Sequence, residues 1–242
     1  MYLVTRENIH HITLEAWQKD AIQKFAQRMK DKEKPFPCIP ATIGYQLNRF
    51  CYGFVSNPER PEAVIELADL LKDYSNIYKS MGDYTSLIIF YDPSHESKHQ
   101  TSVEQYEQVF WEQLNQLSQY DEADWPNHIP TDPKQPMWEY CFHGEQYFMY
   151  CATPSHKNRN SRYFPYLMLA ITPRWVLENF TSAPIQAKKM KKKIRERLAE
   201  YDSIDIHPDL NSYGQNDNYE WKQYFLRDDD TTLPQCPFHQ KK

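Results

Sequence analysis

The residues best suited to chemistry crowd into one short stretch of this 242-residue chain: Thr153-Pro154-Ser155-His156, then Arg159, then Ser161-Arg162. A neutral imidazole is a common metal ligand. Two arginines three residues apart suit paired carboxylates or phosphates, because the guanidinium fork matches the geometry of those anions. A zinc hydrolase would bring three protein ligands, and no carboxylate constellation accompanies this histidine. A haem fits better, since one axial ligand suffices and basic groups hold the propionates. His156 is therefore expected to ligate a haem iron, with Arg159 and Arg162 paired to its anionic edge.

Two aromatic-rich segments must position this loop, one running from Trp138 to Pro154 and one from Tyr163 to Arg174. Polar groups held between rigid β elements are where binding chemistry tends to sit. Gly144-Glu145, between Phe142 and Tyr147, signals a tight hairpin. Upstream, Leu14, Trp17, Ala21, Phe25 and Met29 recur at helical steps and predict a helix over 11–30, stopped by a charged run and by Pro35 and Pro37. Arg49–Val55 and Tyr84–Tyr91 read as strands from their aromatic and β-branched content. Val64, Leu67, Ala68 and Leu71 mark a second helix, and Val103, Tyr106, Phe110, Leu114 and Leu117 a third over 102–119. A fourth, over 183–201, carries a basic cluster from Lys188 to Arg197. A solvated face is expected there, rather than a phosphate or membrane site.

These elements predict an α+β fold: a single domain with an antiparallel sheet, built from strands near 50, 87, 141, 149 and 168, and helices packed against it. Residues 1–34 supply an N-terminal helix and 35–242 the α+β domain, one compact unit overall. The aromatic-rich C-terminal part, including Trp221, Tyr224 and Phe238, is expected to fold back on the core, since a solvated tail would not carry so many aromatics.

Other candidates are weaker. Cys38 sits between Pro37 and Pro40 in Phe36-Pro37-Cys38-Ile39-Pro40, as a thiolate ligand or pocket wall or as a small buried residue at a turn. His95 and His99 have i, i+4 spacing but no third ligand nearby. His128 lies in the proline-punctuated loop 124–133, a candidate pocket wall.

Composition narrows the class. A net charge of −5 argues against a nucleic-acid binder. No run of about 18 apolar residues is present, so no membrane span is expected. Five cysteines without a CxxC pair, and an N-terminus without a signal-peptide apolar region, point to reduced thiols in the cytoplasm.

An ordered set of short motifs resembles the YqcI/YcgG family. It includes Phe36-Pro37-Cys38, Tyr84-Thr85-Ser86-Leu87, Trp125-Pro126, Trp138-Glu139, Gly144-Glu145, Thr153-Pro154-Ser155-His156, Ser161-Arg162, Pro173-Arg174-Trp175, His207-Pro208, Glu220-Trp221-Lys222-Gln223-Tyr224 and Cys236-Pro237-Phe238. The likeness runs from about residue 35 to 238. It implies haem b and N-hydroxylation of a guanidino or amino group on an arginine-like small molecule, with dioxygen or peroxide as oxidant and an external reductant. A non-catalytic haem sensor or carrier is the alternative. Carried onto this chain, the resemblance implies His156 as axial ligand, Arg159 and Arg162 as propionate partners, and His207 or Cys38 as alternative ligands. A cationic substrate would need a carboxylate partner. Glu139, Glu145 and Glu220, each beside aromatics, are the candidates. Gln215 stands where the resemblance leads one to expect an acidic residue.

Overall fold

The computed structural model describes residues 2–94, 101–181, 183–213 and 215–239. Its centre is a five-stranded sheet in which successive side chains serve two different cores. In β1 (Phe50–Val55), Cys51 and Val55 face one way and Phe50, Tyr52 and Phe54 the other. In β2 (Ser86–Tyr91), Leu87, Ile89 and Tyr91 join the first core, Ile88 and Phe90 the second. Burial on both faces is why these strands read as continuous apolar runs instead of alternating with polar residues.

β1 and β2 pair in parallel, with Cys51 opposite Leu87. The long helix between them, α1 here being Ala16–Lys30, α2 Ile39–Gln46 and α3 Pro61–Met81, is α3, and a helical crossover is what a parallel pair requires. Beyond α4 (Val103–Leu117), β3 (Tyr140–Phe142), β4 (Glu145–Ala152) and β5 (Met168–Pro173) pair antiparallel and complete the order β1-β2-β5-β4-β3. The expected α+β architecture is thus present, its sheet antiparallel except along β1–β2. The hairpin expected at Gly144 is also present. His143 and Gly144 both take positive φ, at 52° and 74°, the two-residue turn whose twist matches paired strands.

One face of the sheet is covered by α3, α4 and the C-terminal segment, where Trp221, Tyr224, Phe225 and Phe238 are buried. The other face is covered by α1 and α2. Phe25 of α1 sits among Tyr45, Phe50, Tyr52, Phe90 and Phe164, with ring centroids between 5.9 and 6.4 Å. The N-terminal piece is bound to the domain, because Val4 exchanges both backbone hydrogen bonds with Tyr52.

Three local features differ from the sequence-based expectation. α1 starts at Ala16 under a Glu15–Gln18 capping box, not at residue 11. Ile39–Gln46, read as a proline-locked turn, is the helix α2, since Pro40 in its first turn gives up only an amide with no intrahelical partner. Arg174–Thr181 is a further helix, α5, ahead of α6 (Pro184–Tyr201) and α7 (Trp221–Tyr224). No described helix is long and apolar enough to cross a membrane.

Candidate functional site

The loop Thr153–Arg162 holds the chain's tail. The His156 Nε2 lies 2.8 Å from the Leu226 carbonyl, and Nδ1 lies 2.9 Å from the Thr153 hydroxyl. A carbonyl only accepts, so Nε2 carries the proton and Nδ1 receives the hydroxyl hydrogen. Burial depresses the imidazole pKa to about 4, against a smaller upward pull from the Leu226 carbonyl. Both ring nitrogens are therefore committed, and His156 has no lone pair free for iron.

Arg159 is equally committed. It donates to the Arg227, Asp205 and Asp229 carbonyls and pairs with Asp230 at 2.7 Å. Asp228 answers from the tail by accepting the Lys157, Asn158 and Arg159 amides. Arg162 donates to the Cys151, Tyr224 and Gln223 carbonyls. The three residues that sequence patterning singles out form a clasp between the sheet and residues 223–230. Their hydrogen bonds run to the protein itself: both nitrogens of His156, four of the five Arg159 N–H donors and three of the five Arg162 donors are used within the clasp.

The carboxylate candidates separate. Glu139 and Glu220 both bind the Arg174 guanidinium, Glu139 through Nε at 2.6 Å and Glu220 through Nη2 at 2.7 Å. Tyr213 lies over that guanidinium, 3.7 Å from it. Burial pushes the Glu139 carboxyl up to about 7; Arg174 pulls it down and Glu220 pushes it further up. Glu145 is elsewhere, at the hairpin, accepting from Tyr78 at 2.7 Å and Lys79 at 3.0 Å. His207 is buried, its Nδ1 accepting the Asp209 amide at 3.2 Å. His128 meets Gln146 at the surface, and His95 and His99 lie outside the described residues. Among the described residues, no group of three or more His, Cys, Asp or Glu side chains is placed to hold a metal ion.

Cys38 stands apart. It lines a cavity of about 170 Å³ between the α1–α2 layer and the sheet. The walls include Phe25, Phe36, Phe50, Phe148, Met168 and Leu177. The wall polar groups are Cys38, Arg28, Tyr150, and the Ser86–Thr172 pair, whose hydroxyls bond each other at 2.7 Å. Among the described residues, no carboxylate lines it. Cys38 is exposed by area, yet burial raises its thiol pKa, with the Ala41 amide and the Arg162 charge opposing. These two facts agree if its open surface faces the cavity and not bulk water.

A single soft donor, aromatic walls and an adjacent cation are a chemical fit to a haem. The proline-flanked setting of Cys38 was visible in the sequence. Arg28 and Tyr150 were not singled out, although Arg28 lies between Phe25 and Met29 at the margin of an apolar stripe, and that is a readable signal. The loop does touch the cavity, but through backbone: the Asn160, Ser161 and Tyr163 carbonyls hold Arg28, and the Ser161 carbonyl also holds Tyr150.

Comparison with known proteins agrees with the motif order. The chain is 46% identical to the uncharacterized protein YqcI of Bacillus subtilis over 230 residues, 95% of this chain and 91% of that one. It is 42% identical to the uncharacterized protein YcgG of the same organism over 225 residues, 93% and 89% of the two chains. It is 29% identical over 243 residues to a Streptomyces lavendulae protein named "Putative N(omega)-hydroxy-L-arginine synthase DcsA", covering 98% of this chain and 89% of that one. No solved structure matches the chain. The model of the YqcI/YcgG family matches residues 25–239, a span holding the sheet, the clasp and the cavity alike, and the chain belongs to that family.

Proposed function

We propose that this protein N-hydroxylates the guanidino group of an arginine-like small molecule, using haem b bound in the apolar cavity with Cys38 as the axial ligand. Two things support this: the name of the Streptomyces relative, which points to hydroxylation of arginine, and the cavity itself. The observation that carries it is a cysteine on the wall of an aromatic cavity in a family member so related. When bound, the haem supplies the oxidising chemistry, with peroxide, or dioxygen and an external reductant, as co-reactants.

The chain's own part is positioning. Cys38 leads into α2 as its N-cap residue, and a helix N-terminus favours a thiolate. Burial keeps the free sulfur protonated, so binding iron there releases a proton. Phe25, Phe36, Phe50 and Phe148 exclude water and set a low dielectric around the bound group. Arg162, buried behind Tyr150 with its guanidinium 4.3 Å from that ring, adds positive charge that favours the thiolate.

The test is spectroscopic. Reconstituted protein should show a Soret band, and its reduced carbon monoxide complex the signature of thiolate ligation. Cys38→Ser should abolish that signature while His156→Ala, if folded, should keep it. A Soret band unchanged in Cys38→Ser would overturn the ligand, and no band in the wild type would overturn haem. One observation favours a second reading, a non-catalytic haem sensor or carrier: among the described residues, the cavity wall offers a guanidinium no carboxylate. No hydroxylated product by mass spectrometry, across arginine and related guanidino and amino compounds with oxidant supplied, decides for it.

A further inference from the structure

Arg28, the one cation among the described residues that line the cavity, is incompletely used. Arg28 leaves α1 with its guanidinium 4.6 Å from the Phe36 ring centroid and 5.9 Å from that of Tyr201. Its two terminal nitrogens donate to the Tyr163, Asn160 and Ser161 carbonyls. Its Nε is buried and donates to nothing. Among the described residues no carboxylate bonds to Arg28. A guanidinium carries five N–H donors in a fixed fork, and a buried donor without an acceptor is costly. Here the unmet donor belongs to a residue lining a cavity whose walls are mostly apolar.

The surroundings strengthen the case. The Tyr150 hydroxyl donates to the same Ser161 carbonyl that Arg28 uses, so the two side chains meet on one wall. Arg162 stands behind Tyr150 and, among the described residues, bonds to carbonyls alone. Ser86 and Thr172 satisfy each other and offer no competing anion. Arg28 on the wall and Arg162 behind Tyr150, neither bonded to a carboxylate among the described residues, put positive charge at a cavity with no carboxylate among its described lining residues and make it a receptor for negative charge.

We infer that the ligand of this cavity carries a carboxylate and that the Arg28 Nε–H receives it. This rests on the cavity being the functional site proposed above, but not on Cys38 ligating iron. The carboxylate has two possible sources, a haem propionate or the α-carboxylate of an amino-acid substrate, and each has a probe that lacks it.

In the first arm, binding of protoporphyrin IX is compared with that of its dimethyl ester by fluorescence. Being metal-free, the pair is blind to the axial ligand. In the second, L-arginine is compared with agmatine, which lacks the carboxylate, by calorimetry on haem-loaded protein, or on the apoprotein if no haem binds. Wild-type protein should prefer the carboxylate-bearing member in one arm by about tenfold. Arg28→Gln should erase that preference and leave the binding of the other member unchanged. Arg28→Lys, which keeps the charge without the fork, should retain part of it, and it decides the matter if Arg28→Gln does not fold. A preference unaltered in either folded variant overturns the inference, as does a wild type that prefers neither carboxylate. Porphyrin binding that keeps its Arg28-dependent preference while Cys38→Ser leaves iron ligation unchanged would sink the ligand assignment and leave this inference standing.

Discussion

A residue's type says what it can bond, and its neighbours decide what it does bond. His156 and Glu139 illustrate this through opposite pKa shifts. The Glu139 carboxyl is raised from 4.5 to about 7 by burial, so the folded state holds its proton more tightly. Its contribution to stability is full below the unfolded value and is lost as pH rises toward about 7. The His156 imidazole is lowered from 6.5 to about 4 by burial, so its contribution is full above the unfolded value and is lost as pH falls toward about 4. The two slopes oppose each other in the wild type. Thermal unfolding from pH 4 to 8 should therefore show Glu139→Gln gaining on the wild type as pH rises from about 4.5 to 7. His156→Gln should gain on it as pH falls through the range below about 6.5. A flat difference profile for Glu139→Gln would mean that Arg174 holds Glu139 ionised throughout. Arg159, almost wholly buried, is a third case at this scale. Arg159→Ala leaves the Arg227, Asp205 and Asp229 carbonyls short of a donor, and should cost on the order of 3 kcal/mol in a denaturant melt.

Among the elements, periodicity was the legible part. The stripes on α1, α3 and α4 and the runs of β1 and β2 follow from step sizes of 3.6 and 2, and the turn at His143-Gly144 follows from glycine's freedom at positive φ. α2 was not legible, because its prolines read locally as a turn and its single helical face is decided by packing against Phe50 and Tyr84. Gly44 of α2 shows how close that packing is: a Cβ there would lie 2.2 Å from the Tyr84 carbonyl oxygen. Gly44→Ala should therefore push α2 off the sheet, lowering thermal stability and loosening the cavity wall that Ala41 and Cys38 provide. Binding of a porphyrin probe alongside a thermal melt would read both effects. Phe25→Ala, at the hub of the same layer, should cost about 3–5 kcal/mol and enlarge the cavity it lines.

At the scale of the whole molecule the C-terminal segment is part of the core. Trp221, Tyr224, Phe225 and Phe238 pack with α3, α4 and the sheet, and residues 227–230 are clasped by the loop at 157–159. Removal of residues 221–242 should therefore abolish cooperative unfolding and near-ultraviolet circular dichroism, whereas loss of a solvated tail would leave both intact. Asp228→Ala is the milder test. It should speed hydrogen exchange at the Lys157, Asn158 and Arg159 amides while the β4 amides keep their protection.

Sequence alone determined the class of fold, most of its helices and strands, the packing of the tail, and the family, because each rests on local spacing or on ordered motifs. It also marked Thr153–Arg162 as unusual, and that loop is unusual: it holds the tail and, through its carbonyls, Arg28 and Tyr150. Only the tertiary structure decided which polar groups have bonding capacity to spare. His156, Arg159 and Arg162 spend theirs on backbone carbonyls up to 70 residues away. Cys38 and Arg28 face a cavity whose walls come from α1, α2, β1, β2, β4, β5 and α5. The physical reason is that a donor is free or committed according to what surrounds it in space, and those partners are far apart along the chain.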